Sequence, residues 1–323
     1  MKQCRVFKKV RFLLPLVLFV FLTSQSQLKI YCLDVNQGDA TLLIAPSGET
    51  LLIDAGMKTE AKKILEILRK ENIGAIDYAV LTHFDNDHRG GFALLKDKGI
   101  AIRHPIFDHG KKAPKSYTAV VTSRQTITPG DKFKLGSEVS IKCLAAARKT
   151  EKSIAPRNAA PNYGENQNSI ALLVQYKGFD FFIGGDLTTN VEEALVDDSV
   201  ITDVDVYHVS HHGSTTSSSE DLVQEIAPEV SIVSNGSKYN HPTQAVVDLL
   251  WEQGSVVYQT NKNTNSKKRS EPLINVSKAY IGDINPAKGM GSILIYVDSA
   301  RSEYVISLER KGFKNGKTYS IEK

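Results

Sequence analysis

The sequence predicts a mixed α/β or α+β protein, and three observations support this fold class. Of the 323 residues, 41% are hydrophobic and 24% are charged, proportions that are typical of a globular chain and exclude a disordered or collagen-like one. Short apolar runs bounded by turn residues recur along the chain, as expected of β-strands. Helical segments lie between these runs, so strands and helices are mixed throughout the sequence.

The predicted elements follow one another at short intervals. The first helix is expected at 59–70, because Ala61, Ile64, Leu65 and Leu68 fall on one helical face. Further helices are expected near 91–95, 219–226 and 243–250. The strands are predicted at 28–34, 40–45, 50–54, 76–81, 139–144, 170–176, 179–183, 204–209, 230–234, 256–258, 293–297 and 304–308.

The first 27 residues have the order of a secretory signal peptide. Basic residues up to Arg11 precede the apolar run 12–22, and a small, polar stretch follows it. The apolar run is shorter than the roughly 20 residues that span a bilayer. We therefore expect 1–27 to be removed on export, which places the protein outside the cell, in the periplasm or in the cell envelope. Membrane attachment is expected only if this segment is not cleaved.

Charge is distributed unevenly beyond this segment. The formal net charge is +4, but residues 262–323 hold twelve basic and six acidic side chains, and residues 28–261 carry a net charge of −7. A basic whole chain is therefore no evidence for nucleic-acid binding. We expect a main domain at 28–300 with a polar insertion loop at 261–289, and a C-terminal strand and basic tail at 301–323. The basic region is either a phosphate-backbone contact or a solvated loop.

The segment that points most clearly to chemistry directly follows the strand predicted at 76–81. It reads Thr-His-Phe-Asp-Asn-Asp-His and places His83, Asp85, Asp87 and His88 within six residues. Only a loop can turn four such groups toward one point. Imidazole nitrogens and carboxylate oxygens are metal ligands. The segment therefore predicts a metal-binding loop.

Three later segments repeat the pattern of an apolar strand with polar residues at its end. Asp186 follows Gly-Gly after the strand at 179–183, and His211 and His212 follow the strand at 204–209. His241 comes after the strand at 230–234. Each residue alone is explained equally well as a turn or loop residue. Together they predict one site that is collected from the ends of several strands.

These motifs resemble the metallo-β-lactamase superfamily, and within it the hydrolase domain of the competence DNA-uptake proteins. The resembling stretches run in family order over about residues 28–297. They are LDVNQGDA (33–40), LLIDAG (51–56), LTHFDNDHRGG (81–91), NSIALLV (168–174), FFIGGDL (181–187), YHVSHHGSTTSS (207–218) and NHP (240–242).

The resemblance implies a four-layer αββα sandwich with a binuclear metal site at one edge of its sheets. It implies that metal one is bound by His83, Asp85 and Asn168, that metal two is bound by Asp87, His88 and His212, and that Asp186 bridges both. Either histidine of the His-His-Gly sequence is a candidate ligand. We favour His212, which leaves His211 to position a ligand or donate a proton. His241 is a candidate general acid or substrate contact, or a loop histidine without a role.

The metals implied are two divalent ions. Asp85 and Asn168 stand where the family usually has histidines, and oxygen ligands suit harder ions than imidazoles do. Mn²⁺ or Zn²⁺ is therefore expected, with Mg²⁺ as a further candidate.

The predicted function is an exported metal-dependent hydrolase, a phosphodiesterase or nuclease that acts through metal-activated water. Its expected partner is a phosphoester substrate, with DNA as a candidate, and no stable protein partner can be inferred from the sequence. Two alternatives stay open. One is a cell-envelope esterase that resembles phosphorylcholine esterases, and the other is a non-catalytic binding module on the same fold.

Overall fold

The structure is a computed structural model that describes residues 27–157, 163–237, 239–264, 275–284, 291–309 and 316–321. The predicted signal peptide lies outside these residues, apart from Gln27. Among the described helices, none is both long and apolar enough to cross a membrane.

Most of the described strands belong to two large sheets. The strands are β1 Leu28–Cys32, β2 Thr41–Ile44, β3 Thr50–Ile53, β4 Ala75–Ile76, β5 Tyr78–Val80, β6 Ala101–Ile102, β7 Ile106–Asp108, β8 Arg124–Thr126, β9 Lys132–Leu135, β10 Val139–Ala145, β11 Ala171–Tyr176, β12 Phe179–Ile183, β13 Val206–His208, β14 Val230–Val233, β15 Val256–Asn261, β16 Ile281–Asp283, β17 Ile293–Asp298, β18 Glu303–Leu308 and β19 Lys317–Ser320. In the described residues, one sheet has the order β19-β18-β17-β1-β2-β3-β5-β7-β8 and the other β16-β15-β14-β13-β12-β11-β10-β9, while β4 and β6 form a small separate pair.

The described helices are α1 Lys62–Lys70, α2 Asn86–Arg89, α3 Gly91–Asp97, α4 Lys115–Thr118, α5 Thr189–Asp197, α6 Glu220–Ile226 and α7 Gln244–Glu252. The longer helices lie on the outer faces of the sheets, whereas α2 belongs to the predicted metal-binding loop. In α1, the side chains of Ile64, Ile67 and Leu68 are buried, because their spacing places them on one face. This face packs against the sheet that contains β3 and β5.

Three hydrophobic layers show how the sheets and helices stack. The central layer joins the two sheets and includes Ile30 of β1 and Phe181 of β12. A second layer lies between α5, α6, α7 and the sheet of β12, and contains Phe182. A third lies under α1 and α3 and contains Leu52. Alternate residues of one strand thus face different layers, and the predicted αββα sandwich is confirmed.

Parallel pairing gathers the polar strand ends at one edge. Strands β3 and β5 are parallel neighbours in one sheet, and β12, β13 and β14 are parallel neighbours in the other. Loops that follow neighbouring parallel strands emerge at the same edge. The segments after β5, β12 and β13 carry His83, Asp186 and the two histidines 211 and 212.

Two of the expected segments contain strands that join the large sheets. Residues 281–283, inside the predicted loop 261–289, form β16 and pair with β15 at the edge of a sheet. Residues 265–274 and 285–290 of that loop lie outside the described residues. The predicted C-terminal segment at 301–323 contributes β18 and β19 to the same sheet as β1, so its described part is continuous with the main domain.

Candidate metal centre

The carboxylate of Asp186 is the centre of the site. Asp186 is 3% exposed and follows β12 after two glycines. The second glycine, Gly185, has φ +55°, and a Cβ there would lie 2.5 Å from Oγ1 of Thr82. Only glycine lets the chain turn so close to residues 82–88, which we call the metal loop. The turn brings Asp186 to the loop that follows β5.

Four imidazoles point their Nε2 atoms at the two oxygens of Asp186. We call them the histidine quartet, and they are His83, His88, His211 and His212. Oδ1 of Asp186 lies 3.1 Å from Nε2 of His88 and 3.6 Å from Nε2 of His212. Oδ2 lies 3.7 Å from Nε2 of His83 and 3.7 Å from Nε2 of His211. Each carboxylate oxygen therefore faces two imidazoles, as a carboxylate that bridges two metal ions requires.

The other ring nitrogen of each quartet member has a partner in the protein. Nδ1 of His83 lies 3.2 Å from Oγ1 of Thr82, and Nδ1 of His88 lies 2.7 Å from Oδ2 of Asp54. Nδ1 of His211 lies 2.7 Å from Oγ1 of Thr216, and Nδ1 of His212 lies 3.0 Å from the backbone oxygen of Ser234. Such contacts hold the proton on Nδ1, which leaves the Nε2 lone pair of His83, His88 and His212 for a ligand, whereas Nε2 of His211 also contacts Asn166.

Asp54 organises the metal loop from behind. Its carboxylate accepts hydrogen bonds from the backbone N–H of Thr82 at 2.8 Å and from the Thr82 hydroxyl at 2.6 Å. It also contacts His88, as described above. Asp54 is fully buried. These contacts orient the loop.

An unusual backbone brings both His211 and His212 into the quartet. Their φ angles are +49° and +56°, in the left-handed region that ordinary side chains rarely adopt. Two consecutive residues of an extended chain would point in opposite directions. The tight turn at Ser210–Gly213 instead directs both imidazoles toward Asp186. The sequence left the choice between them open, and the structure places both at the site.

The unsatisfied atoms of the site fit bound cations. Among the described residues, Nε2 of His83, His88 and His212 and Oδ1 of Asp186 are buried without a hydrogen-bond partner. Leaving such atoms unpaired is costly in a folded protein. Groups with ligand atoms within 4.8 Å of one another include His83, His88 and Asp186, and also Asp87, His88 and His212. The donors present therefore fit divalent metal ions.

The electrostatics of the cluster lead to the same conclusion. Burial alone would raise the pKa of the Asp186 carboxyl, but the surrounding imidazoles, above all His88, hold that pKa well below its usual value. Burial alone would lower the pKa of His88, but the carboxylates of Asp186 and Asp54 raise it well above its usual value. A site that stabilises positive charge on His88 also attracts a metal cation to the same place.

Asp85 and Asp87 lie at the outer side of the cluster. Oδ2 of Asp85 is 3.8 Å from Nε2 of His83, and its side chain is 50% exposed. Oδ2 of Asp87 is 3.9 Å from Nε2 of His212. Asp85 thus lies beside the histidines that face Oδ2 of Asp186, which we call the Oδ2 half of the site. Asp87 lies beside the histidines that face Oδ1 of Asp186, the Oδ1 half.

The side chain of Asn168, a ligand expected from the resemblance, pairs with Glu165 in the structure. Its amide nitrogen donates to Oε2 of Glu165 at 3.0 Å, and Oε1 of Glu165 contacts Nε2 of His109 at 2.8 Å. The asparagine that reaches the quartet is Asn166, whose Nδ2 lies 3.1 Å from Nε2 of His211. Asn166 and Asn168 are both amides in one short turn, so they cannot be told apart by residue type or local pattern.

The metal cluster opens into a small cleft. Its volume is about 160 Å³, and it is lined by Gln37, Asp85, Asp87, Asn166, Asp186, His211, His212, Tyr239 and His241. The ring centroids of His241 and His211 are 5.7 Å apart, so the predicted acid lies beside the quartet. A larger groove of about 390 Å³ beside α3 contains none of the predicted site residues. Gln37 and Asn166 were not predicted as site residues, although both lie in or next to the motifs.

The chain has a fold of the metallo-β-lactamase type, which is a fold of metal-dependent hydrolases. Residues 33–142 match the metallo-beta-lactamase superfamily, and this stretch contains the metal loop. The solved structures that resemble the chain include a putative metal-dependent hydrolase from Parabacteroides distasonis, at 13% identity and TM-score 0.47, covering 70% of this chain and 90% of that one. Zn²⁺-bound PqqB from Methylobacterium extorquens resembles it at 13% identity and TM-score 0.42, with coverage of 69% and 85%.

The resemblance to competence proteins is confirmed as well. The chain is 25% identical to ComE operon protein 3 of Bacillus subtilis over 284 residues, which are 82% of this chain and 36% of that protein. It is 27% identical to Recombination protein 2 of Haemophilus influenzae, over 71% of this chain and 27% of that protein. Competence protein ComA of Neisseria gonorrhoeae is also 27% identical, with coverage of 71% and 30%. The chain thus spans about a third of the length of these relatives.

Proposed function

We propose that the protein is a metal-dependent phosphodiesterase. The observation that carries this proposal is the division of the histidine quartet between the two oxygens of Asp186. The Oδ1 half, with His88, His212 and Asp87, would hold one divalent ion. The Oδ2 half, with His83, His211 and Asp85, would hold the other. Paired divalent ions are suited to in-line displacement at phosphorus.

The chain's own residues would then perform two tasks beside those of the metal ions. Two bound divalent ions would supply activated water and neutralise charge on a phosphoryl group. The Nδ1 contacts of the quartet hold each ring in a fixed orientation, so no reorientation is needed when substrate arrives. His241, which lines the cleft beside His211, would give a proton to the leaving oxygen.

The native metal is part of the proposal. Asp85 supplies a hard oxygen donor beside His83, which favours Mn²⁺ or Mg²⁺ over Zn²⁺ at that half of the site. His211 adds a nitrogen donor to the same half, which the sequence analysis had not assigned there. We therefore expect Mn²⁺ to support activity best, with Zn²⁺ also bound.

DNA is the polymeric substrate that the relatives favour. Two of their names refer to recombination and to competence, and the resemblance of all three covers most of this chain. Lys267, Lys268 and Arg269, the basic residues considered for a phosphate-backbone contact, lie outside the described residues. Contact of the basic C-terminal region with DNA is therefore a proposal that rests on charge alone.

A small phosphodiester of the cell envelope is the second candidate substrate, and the cleft itself favours it. The cleft has a volume of about 160 Å³, and among the described residues that line it none is a lysine or an arginine. Such a site suits a single phosphodiester group better than a length of DNA backbone.

A non-catalytic binding module is disfavoured, because the complete quartet and Asp186 are in place.

Hydrolysis assays on reconstituted protein test this proposal. Metal-free protein is loaded with Mn²⁺ and given bis(p-nitrophenyl) phosphate, plasmid DNA and p-nitrophenylphosphorylcholine in parallel. Hydrolysis of any of these by the wild type, with loss of at least 100-fold in Asp186→Asn, is the expected result. No hydrolysis of any phosphodiester by protein shown to contain metal would contradict the proposal.

Export is proposed from the first 27 residues alone. We expect the mature protein to begin near Leu28, the first residue of β1. N-terminal sequencing of protein from the producing cell measures this directly. An intact Met1 on protein recovered from the cytoplasm would contradict it.

A further inference from the structure

Gln37 is a buried amide that faces the cleft without a protein partner. It is 2% exposed and lines the cleft together with Asp87, His212 and His241. Among the described residues, its Nε2 atom is buried and has no hydrogen-bond partner. An unpaired buried amide costs free energy, so its presence at a functional cleft calls for a ligand that it pairs with.

The loop that carries Gln37 is clamped against the metal loop. Gly38 has φ +119°, and a Cβ on it would lie 2.0 Å from the backbone oxygen of Asp87. The backbone N–H of Asp39 also donates to that oxygen, at 3.2 Å. The position of Gln37 is thus tied to the backbone of a predicted metal ligand.

A second clamp holds the other side of the loop. A Cβ on Gly236 would lie 2.4 Å from the backbone nitrogen of Gln37. The backbone N–H of Ser237 donates to Oδ1 of Asn36 at 3.3 Å. The loop is therefore held between the segment after β14 and the metal loop. A side chain on so rigid a loop is pre-organised for its partner.

The composition of the cleft indicates what that partner is. Its lining in the described residues contains carboxylates, imidazoles and amides but no lysine or arginine. An anionic group that enters must therefore find its donors among neutral side chains and bound cations. An amide N–H is a suitable donor to a phosphoryl oxygen, because hydrogen bonds to charged acceptors are stronger than neutral ones.

We propose that Gln37 is a substrate-binding residue that donates a hydrogen bond from its amide to a non-bridging oxygen of the phosphoryl group. This inference rests on the proposed phosphodiester hydrolysis and names the residue that recognises the phosphoryl group itself. Gln37 is not a metal ligand in this account. Its removal should therefore weaken phosphate binding and leave metal binding unchanged.

The test compares Gln37→Met with a matched control. Methionine preserves the length and volume of the side chain but has no donor. Gln259→Met is the control, because Gln259 is also fully buried with an unpartnered Nε2 but lies outside the cleft lining. Gln37→Glu is a second variant of equal size whose negative charge would repel phosphate. Each protein is loaded with Mn²⁺, its metal content is measured, and binding of inorganic phosphate is followed by calorimetry.

We expect Gln37→Met to bind phosphate about 10- to 100-fold more weakly than the wild type, the loss of one hydrogen bond to a charged acceptor, and to keep the wild-type metal content. Gln37→Glu should bind it more weakly still, and Gln259→Met within about twofold of the wild type. Phosphate affinity within twofold of the wild type in both Gln37 variants, or an equal loss in the control, would overturn the inference. Because phosphate binding is measured without turnover, this result is separate from failure of the wild type to hydrolyse phosphodiesters.

Discussion

Nδ1 of His88 lies 2.7 Å from Oδ2 of Asp54, and this contact directs the opposite nitrogen of His88 toward Asp186. Both residues are fully buried, so neither side chain can exchange this contact for a hydrogen bond with water. A carboxylate behind a ligating histidine fixes the proton on the rear nitrogen and raises the basicity of the front one. The buried pair is thus a structural requirement for the metal site.

Asp54→Asn should therefore weaken metal binding without removing any ligand. The amide could donate to Nδ1 of His88, which would move the imidazole proton to Nε2 and block the lone pair that faces Asp186. Asparagine also tolerates the φ of +57° at this position, so the backbone should persist. We expect a loss of about 10- to 100-fold in metal affinity, measured by competition with a chelating dye.

Asp108→Asn is the control for that experiment. Asp108 is buried too, and its oxygens accept from Gly110 and Arg124, away from the quartet. The control should keep wild-type metal affinity even if its stability falls. Equal metal affinity in Asp54→Asn and the wild type would contradict the role given to Asp54.

Asp87→Ala should abolish activity and leave the fold largely intact. The side chain of Asp87 is 19% exposed, and its Oδ2 is 3.9 Å from Nε2 of His212. Its loss should empty the Oδ1 half of the site more than it disturbs packing, with a change in unfolding free energy of about 1 kcal/mol or less. The exposed Asp97→Ala serves as the matched control. Full turnover by Asp87→Ala in Mn²⁺ would show that this carboxylate is not required.

Asp85→His should shift the metal preference toward Zn²⁺. Imidazole suits tetrahedral Zn²⁺, whereas the carboxylate now beside His83 suits harder ions. A partial shift is expected from the single change. A larger one is expected with Asn166→His added, because Asn166 rather than Asn168 reaches the quartet. The measurement is bound-metal stoichiometry and phosphodiesterase rate after reconstitution with each metal. An unaltered metal ranking in both variants would contradict this account.

The stability of the protein should fall between about pH 4.5 and pH 7 because of Glu192. Burial raises the pKa of this carboxyl from 4.5 to about 7, against the lowering effect of hydrogen bonds from the backbone of Ser219 and Ser218. In this range the folded protein retains a proton that the unfolded chain releases, so unfolding becomes easier as the pH rises. The contribution is fully present below pH 4.5 and lost above pH 7, and it amounts to about 3 kcal/mol.

Glu192→Gln should remove this pH dependence. The variant is compared with wild type in chemical unfolding at pH 5 and pH 8, under identical metal-free conditions. Its loss of stability between the two pH values should be smaller than that of the wild type, while Glu225→Gln, an exposed change on α6, should behave like the wild type. The same pH dependence in all three proteins would exclude Glu192 as its source.

The sequence was sufficient to predict much of the fold and the metal loop. Apolar runs such as Phe179–Ile183 remain recognisable because both faces of these strands are buried. The loop after β5 was recognisable because four ligand-type residues fall within one turn. The short strands β16 and β19 were missed, since edge strands of three or four residues carry little periodic signal.

The details of the site depend on contacts between distant parts of the chain. Whether Asn166 or Asn168 reaches the quartet is decided with Glu165, which binds Asn168 and is itself held by His109, 56 residues away. The orientation of His211 depends on a positive φ angle, which no local sequence motif predicts. The role inferred for Gln37 depends on its position, which is held by Gly236, 199 positions further along the chain.

The most direct test of the central claim is the number of Mn²⁺ ions bound per chain, measured by elemental analysis and by electron paramagnetic resonance. A bridging Asp186 predicts two ions per chain and a spectrum showing that the two Mn²⁺ ions are magnetically coupled. Asp186→Ala should bind at most one ion tightly and lose the coupling. A wild-type protein that binds a single ion, or an Asp186→Ala variant that still binds two coupled ions, would contradict the account.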